Sequence, residues 1–141
     1  MQFDRFTITL LILCPDPPAL ADDTLDALQD EHMAHLAELH EAGHLLAAGP
    51  LLGPPDRGLR GLSIWRGEPD EVRALLEEHP DPLVTAGRLR HEIVPWMVPS
   101  GALHFAVTRF PRSMAEAGST LPVAARKSLT SKSTARRSVS P

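Results

Sequence analysis

The chain of 141 residues has no tyrosine, two tryptophans and four phenylalanines, so aromatic side chains make up only 4% of it. The absence of tyrosine removes one side chain that enzymes use as a general acid. A single cysteine, Cys14, cannot form an intramolecular disulfide, which is typical of proteins from a reducing compartment. Cys14 lies in an apolar stretch, where a thiol behaves as a small buried hydrophobe, and we assign it no catalytic role.

The sequence also lacks a long apolar run. Its most apolar stretch, residues 6–13, is much shorter than the ~18 apolar residues that a membrane span requires. The stretch is similar to the core of a signal peptide, but a positively charged start is missing because Asp4 offsets Arg5. Its β-branched residues favour a strand. We therefore expect a cytoplasmic protein with no membrane partner.

Positive charge is scarce in most of the chain. Residues 1–110 contain eight arginines, no lysine, nine aspartates and eight glutamates, a net charge of −9, whereas residues 111–141 carry +5. Phosphate binding needs clustered lysine and arginine, so the acidic part argues against a nucleic-acid partner. Weak contact between the basic tail and a polyanion is the one exception that the charge pattern allows.

Hydrophobic periodicity predicts one α+β domain over residues 1–99. Strands are expected at 6–14, 44–48, 59–65 and 91–98, and helices at 22–42 and 69–79. This order is that of the ferredoxin-like βαββαβ fold, an antiparallel sheet with both helices on one face. The other face would be bare and apolar, so we expect the chain to form a homodimer.

The end of the chain divides into two further segments. Within residues 100–110, the apolar and polar side chains of 103–110 alternate well enough for an extra strand. Residues 111–141 consist mainly of small, polar and basic residues that cannot offset their ordering entropy. We predict a basic disordered tail over 111–141.

His32 is the most informative residue of the first predicted helix. At about 100° per residue, four leucines lie within roughly 40° of it: Leu25, Leu28, Leu36 and Leu39. His32 therefore lies at the centre of the apolar stripe and faces the core. An imidazole in that position is either a satisfied core residue or a functional one.

A metal site is the competing interpretation of the histidine-rich segment. Residues 40–44, His-Glu-Ala-Gly-His, match the His-Glu-x-x-His pattern of zinc peptidases. Gly43 and the strand-like residues after it end the helix inside the motif, so His44 leaves the face that His40 occupies. We expect no resident metal, and adventitious Zn²⁺ or Ni²⁺ binding by His35, His40 and His44 stays open.

Two groups of residues resemble a known family. His32, Leu36, Leu39, Gly43 and residues 45–50 (Leu-Leu-Ala-Ala-Gly-Pro) resemble the His-x-x-x-Leu … Gly-x-Leu-Leu-x-Ala-Gly-Pro signature of the YCII-related (YciI-like) proteins. Asp81-Pro82, with Gly87 and His91, is similar to the Asp-Pro … Ala-Gly … His pattern of that family. The resemblance covers roughly residues 6–97, and the long loop 51–60 departs from the pattern.

The resemblance implies a dimeric α+β barrel and a His–Asp site that maps onto His32 and Asp81. It also implies that Gly49, Pro50 and His91 are binding residues near the pocket. It implies no settled reaction, because related barrels support several chemistries. The residues alone leave another interpretation of Asp81 open, a cap for the short turn that follows it.

These features predict a small-molecule enzyme. A carboxylate that accepts the imidazole N–H of His32 would fix its tautomer and suit it for general acid/base chemistry of the lyase or isomerase type, without a cofactor. The alternative is a non-catalytic small-molecule-binding or regulatory module of the same fold. In both cases the expected partners are a small-molecule ligand and a second copy of the chain.

Overall fold

The computed structural model of the chain describes residues 1–53 and 58–120. Its elements in chain order are β1 (Phe3–Leu13), α1 (Asp22–Glu41), β2 (Leu45–Pro50), β3 (Leu59–Trp65), α2 (Pro69–Glu78), α3 (Pro82–Thr85), β4 (Leu89–Pro99) and α4 (Met114–Thr120). None of the helices in the described residues is both long and apolar enough to cross a membrane.

The four strands form one antiparallel sheet in the order β2-β3-β1-β4. Strand β1 is central and pairs along its whole length with β4, from Phe3 opposite Pro99 to Leu13 opposite Leu89. Helix α1 connects β1 to β2, and α2 with α3 connects β3 to β4. This is the ferredoxin-like α+β arrangement, and it confirms the predicted fold class.

The core lies between the helices and one face of the sheet. It consists of two clusters of buried residues, the first made of Leu39, Leu45, Trp65, Val72 and Leu76 and the second of Leu11, Leu83 and Leu89. Polar side chains of this face form hydrogen bonds within the core, as the indole N–H of Trp65 donates to Thr9 over 2.8 Å. The hydroxyl of Thr7 donates to the carbonyl of Gly67, also over 2.8 Å.

The opposite face of the sheet is apolar and only half-buried, and we call it the open face. Because strand residues alternate between faces, it carries Ile8, Leu10, Leu62, Ile64 and Val94, which are neighbours in the strand register. Val94 on the edge strand β4 is 36% exposed. The predicted apolar second face is therefore present.

Residues 103–110 do not form the predicted extra strand. After a turn in which Gly101 adopts a φ of +82°, the segment makes side-chain contacts instead of a ladder. The ring of Phe105 meets that of Phe6 edge-on at 5.5 Å, and Phe110 stacks on His40 at 3.8 Å. The carbonyl of Thr108, which a strand would use for pairing, contacts a ring nitrogen of His40. The alternation of apolar and polar side chains therefore predicted a strand at residues 103–110 wrongly.

The predicted disordered tail begins too early, because Arg112 and Met114 form hydrogen bonds with α1. The backbone N–H of Met114 donates to Asp30 over 2.8 Å, and Arg112 donates to both carboxylate oxygens of Glu41 at 2.8 Å. Helix α4 contacts α1, and Ala117 is fully buried. Polar contacts and the burial of the small side chain of Ala117 fix this segment. Residues 121–141 of the predicted tail lie outside the described residues.

The packing of α4 can be tested with one substitution at two positions. Ala117→Arg forces a long side chain into a buried contact, so we expect it to lower the free energy of unfolding by about 1–3 kcal/mol. Ala115→Arg is the matched control, because Ala115 is exposed on the same helix. Thermal unfolding followed by circular dichroism measures both. Equal melting temperatures for the two variants would contradict the packing.

Candidate functional site

His32 lies between the two core clusters on the inner face of α1. Leu28, one turn before it, packs on the second cluster, and Leu36, one turn after it, packs on the first. The periodicity of the helix thus places the imidazole in the core, as the sequence predicted, and His32 is 8% exposed. A polar side chain this deeply buried needs a hydrogen-bond partner.

Asp81 supplies that partner from the connection between α2 and α3. It is the N-cap of α3, where its Oδ1 accepts the backbone N–H of Leu83 over 2.8 Å. Pro82 follows at the first helical position, which favours the start of a helix. Asp81 is only 1% exposed. The carboxylate is therefore fixed by the local fold, and the cap that the sequence allowed is present together with the His32 contact.

The two side chains meet in a short hydrogen bond. Nδ1 of His32 lies 2.5 Å from Oδ2 of Asp81. An ionised carboxylate can only accept, so Nδ1–H of His32 donates and the lone pair of the neutral ring resides on Nε2. Within the described residues, no hydrogen-bond partner meets Nε2. The pair therefore offers an oriented imidazole with one free nitrogen.

The electrostatics of the pair favour an ionised carboxylate. Burial alone would raise the pKa of Asp81, but the hydrogen bond and charge of His32 and the N–H of Leu83 outweigh it, so its pKa lies below the usual value. An ionised Asp81 stabilises the imidazolium form of His32 whenever that ring takes up a proton. This is the arrangement that a general base or acid requires.

Two more histidines lie close enough to Asp81 to sense its charge. His91 is on β4 opposite Leu11, and burial lowers its pKa while the charge of Asp81 opposes that change. Burial also lowers the pKa of His35, again against the effect of Asp81. His91 therefore lies within electrostatic range of the pair, and its role as a binding residue stays a prediction. The sequence pattern indicates His35 only as an adventitious metal ligand, and its proximity to Asp81 comes from the tertiary fold.

Gly49 and Pro50 do not lie beside the His32–Asp81 pair. Both are exposed residues at the end of the edge strand β2, and β3 and β1 separate them from β4. Pro50 shares a row across the sheet with Gly61, Leu11 and His91, so it lies at the same end of the sheet as the site. Their assignment as binding residues stays a prediction.

The His-Glu-x-x-His segment has a structural use. Helix α1 ends at Glu41 and Gly43 adopts a φ of +86°, which confirms that the helix stops inside the motif. Nδ1 of His40 lies 2.6 Å from the carbonyl of Leu45, and its Nε2 lies 3.1 Å from the hydroxyl of Thr108. Among the described residues, no group of three potential metal ligands is assembled.

The lowered pKa of His91 predicts a pH dependence of stability. Since its pKa in the folded chain lies below the unfolded value of about 6.5, the unfolded chain binds more protons, and stability falls as the pH drops below that value. His91→Gln should therefore flatten the decrease in unfolding free energy between about pH 7.5 and 5.5. Urea titrations at several pH values measure it.

The matched control for this experiment is His44→Gln, because His44 is exposed at the end of α1. It is expected to keep the wild-type dependence on pH. An unchanged slope in His91→Gln would show that this residue does not contribute.

The chain is similar to one family of proteins and to solved structures of low sequence identity. The model of the YCII-related domain family matches residues 8–97. A solved structure of 5-chloro-2-hydroxyhydroquinone dehydrochlorinase from Burkholderia phenoliruptrix, in complex with 2,5-dihydroxybenzoquinone, shares 23% identity at a TM-score of 0.43, and the match covers 64% of this chain and 92% of that one. A structure from Arabidopsis thaliana shares 14% identity at a TM-score of 0.35, covering 72% and 100%. No curated protein matches the chain.

The family match begins within β1 and ends within β4, so it includes residues of all four strands, the helices between them and both members of the His32–Asp81 pair. Residues 98–120, in which Phe105 contacts Phe6 and α4 contacts α1, lie beyond it. The match spans most of the chain. The chain therefore belongs to the YCII-related domain family.

Proposed function

We propose that this YCII-related protein is an enzyme that moves protons on a small organic molecule, with His32 and Asp81 as its general acid/base pair. The observation that carries the proposal is the 2.5 Å contact between Nδ1 of His32 and Oδ2 of Asp81 inside the core. Burying a carboxylate at 1% exposure is costly unless it is paired. The pair orients one imidazole nitrogen toward a ligand and supplies a counter-ion for the protonated ring.

The reaction follows from the free Nε2 of His32. Its lone pair takes a proton from a weakly acidic C–H or O–H of the substrate, and the bonding electrons stay on the substrate. Asp81 stabilises the imidazolium, which then returns the proton to a second substrate atom or to a leaving group. This sequence is an isomerase or lyase reaction and needs no cofactor. Such a positioned base contributes about 10²–10⁴ in rate.

A non-catalytic small-molecule-binding or regulatory module is the second candidate, and the cap of α3 favours it. Asp81 satisfies Leu83 as well as His32, so the pair also has a structural role. His32→Ala leaves an uncompensated buried carboxylate and costs about 3–5 kcal/mol of stability under either candidate, so this variant does not separate them.

The variant His32→Asn separates the two candidates. It keeps a side-chain N–H for Asp81 but removes the basic nitrogen, so we expect nearly wild-type stability and a loss of proton transfer by about 10²–10⁴. The assay incubates small enolisable carbonyl compounds with the protein in D₂O and follows the loss of C–H signals by proton NMR. This readout does not depend on knowing the natural substrate.

His44→Asn is the control in this assay, because it makes the same change on an exposed residue. The catalytic proposal fails if no compound exchanges faster with the wild-type protein than without it. It also fails if His32→Asn exchanges as fast as the wild type.

We further propose that the protein is a homodimer joined through the open face. The apolar side chains of this face are half-exposed, and apolar patches of such a sheet are normally covered. A second copy supplies an equally apolar face of the same twist, which suits a two-fold interface. The edge residue Val94 would lie within or beside this interface.

Dimer formation predicts twice the chain mass of 15.3 kDa by light scattering at micromolar concentration. Val94→Arg places a charge on the open face and is expected to give the monomer mass. Glu77→Arg on the exposed side of α2 also introduces an arginine and is expected to keep the dimer. A wild-type monomer would overturn this proposal.

A further inference from the structure

The ring of His35 has a buried nitrogen without a partner. In the described part of the chain, only two buried side-chain nitrogen or oxygen atoms lack a hydrogen bond, Nε2 of His35 and Nε of Arg60. Such an atom loses its hydrogen bonds to water when the chain folds and forms none within the protein, which costs free energy. Unpaired buried groups in native proteins are rare and call for an explanation, of which a function in binding is one.

His35 belongs to the same cluster as the acid/base pair. It follows His32 by three residues on α1, so the two side chains are neighbours on the helix surface. The charges that act on it come from Asp81, His32, Glu38 and His79, and His35 in turn acts on His91. The unpaired nitrogen is therefore located beside the candidate site and on the same helix.

The charges of this cluster indicate what His35 could bind. Burial and the neighbouring His32 favour the neutral ring of His35 against the effect of Asp81. A neutral imidazole has one N–H and one lone pair, so it can exchange a hydrogen bond with a hydroxyl group. In the described part of the chain, the charged side chains with the largest effects on His35, His91 and Asp81 are histidines and carboxylates, which does not favour an anionic ligand.

We propose that Nε2 of His35 is a substrate-binding atom of the His32–Asp81 site, and that it holds the hydroxyl group of a neutral small molecule. This inference rests on the proposed function and specifies its substrate class. A ligand bound in this way satisfies the unpaired nitrogen of His35 and places its reacting atom toward the free Nε2 of His32. His35 contacts the substrate, whereas Asp81 acts through His32.

The test uses three probes of similar shape. Phenol carries a neutral hydroxyl group, toluene lacks it, and benzoate replaces it with a negative charge. Binding is followed through the side-chain ¹⁵N signals of the histidines. We expect phenol to shift the signals of His35 and His32, and we expect toluene and benzoate to leave them unchanged. Equal responses to phenol and toluene, or no response to phenol, would overturn the proposal.

Variants of His35 identify the contact. His35→Phe keeps a ring but no nitrogen, so phenol binding should weaken about tenfold, the ordinary effect of one lost hydrogen bond. His35→Gln restores a donor and an acceptor and should recover most of the affinity. His44→Gln controls for the loss of an exposed histidine. Wild-type affinity in His35→Phe would overturn the assignment.

The inference and the proposed function can fail separately. If phenol binding depends on His35 while His32→Asn leaves deuterium exchange unchanged, the results support the binding site and contradict the catalytic proposal. If deuterium exchange depends on His32 while phenol binds to His35→Phe as well as to the wild type, the results support the catalytic proposal and contradict the role of His35. A melting temperature of His35→Phe equal to that of the wild type excludes a general structural disturbance as the cause of weaker binding.

Discussion

The buried carboxylate of Asp81 imposes the strictest condition on this structure. A charge in an apolar core is tolerated only when hydrogen bonds replace the water that it has lost. Two elements supply them here, α1 through the ring of His32 and α3 through the backbone N–H of Leu83. The rotation of α1 about its axis and the start of α3 are therefore linked. The apolar side chains on either side of His32 can pack only in the arrangement that also satisfies the carboxylate.

The helix that carries the site is fixed from its outer side as well. Residues beyond the family domain bind α1 near its C-terminal end, where Thr108 and Phe110 contact His40 and Arg112 pairs with Glu41. In the N-terminal half of α1, Asp30 accepts the backbone N–H of Met114. The exposed ion pair contributes little by itself. Together with the packing of α4, however, these contacts hold α1 between two layers, which limits the movement of the imidazole that it carries.

The sequence predicted those features that depend on local patterning. A helical period of 3.6 residues was sufficient to place His32 inside, and alternation located the four strands. The same alternation failed at residues 103–110, because it reports which side chains share a face and not whether a neighbouring strand is in place to pair with them. The position of Asp81 after the second predicted helix and the family motif both indicated its partnership with His32. The unpaired nitrogen of His35 is a property of tertiary packing, which no pattern in one sequence encodes.

Burial penalises the charged form of every side chain in this cluster. The number of hydrogen-bond donors around each group explains why that penalty is overcome at Asp81 and not at its neighbours. Burial opposes the charged form of Asp81, His35 and His91 alike. Asp81 overcomes it because two donors, Nδ1–H of His32 and the N–H of Leu83, bind its two oxygens. His35 has only the charges of Asp81 and Glu38 to oppose burial, and His91 has that of Asp81, so burial prevails and the pKa values of both rings fall. Within this cluster, His32 alone has an ionised carboxylate in direct contact. The proposed acid/base role is therefore given to His32, because it rests on this direct contact with the carboxylate.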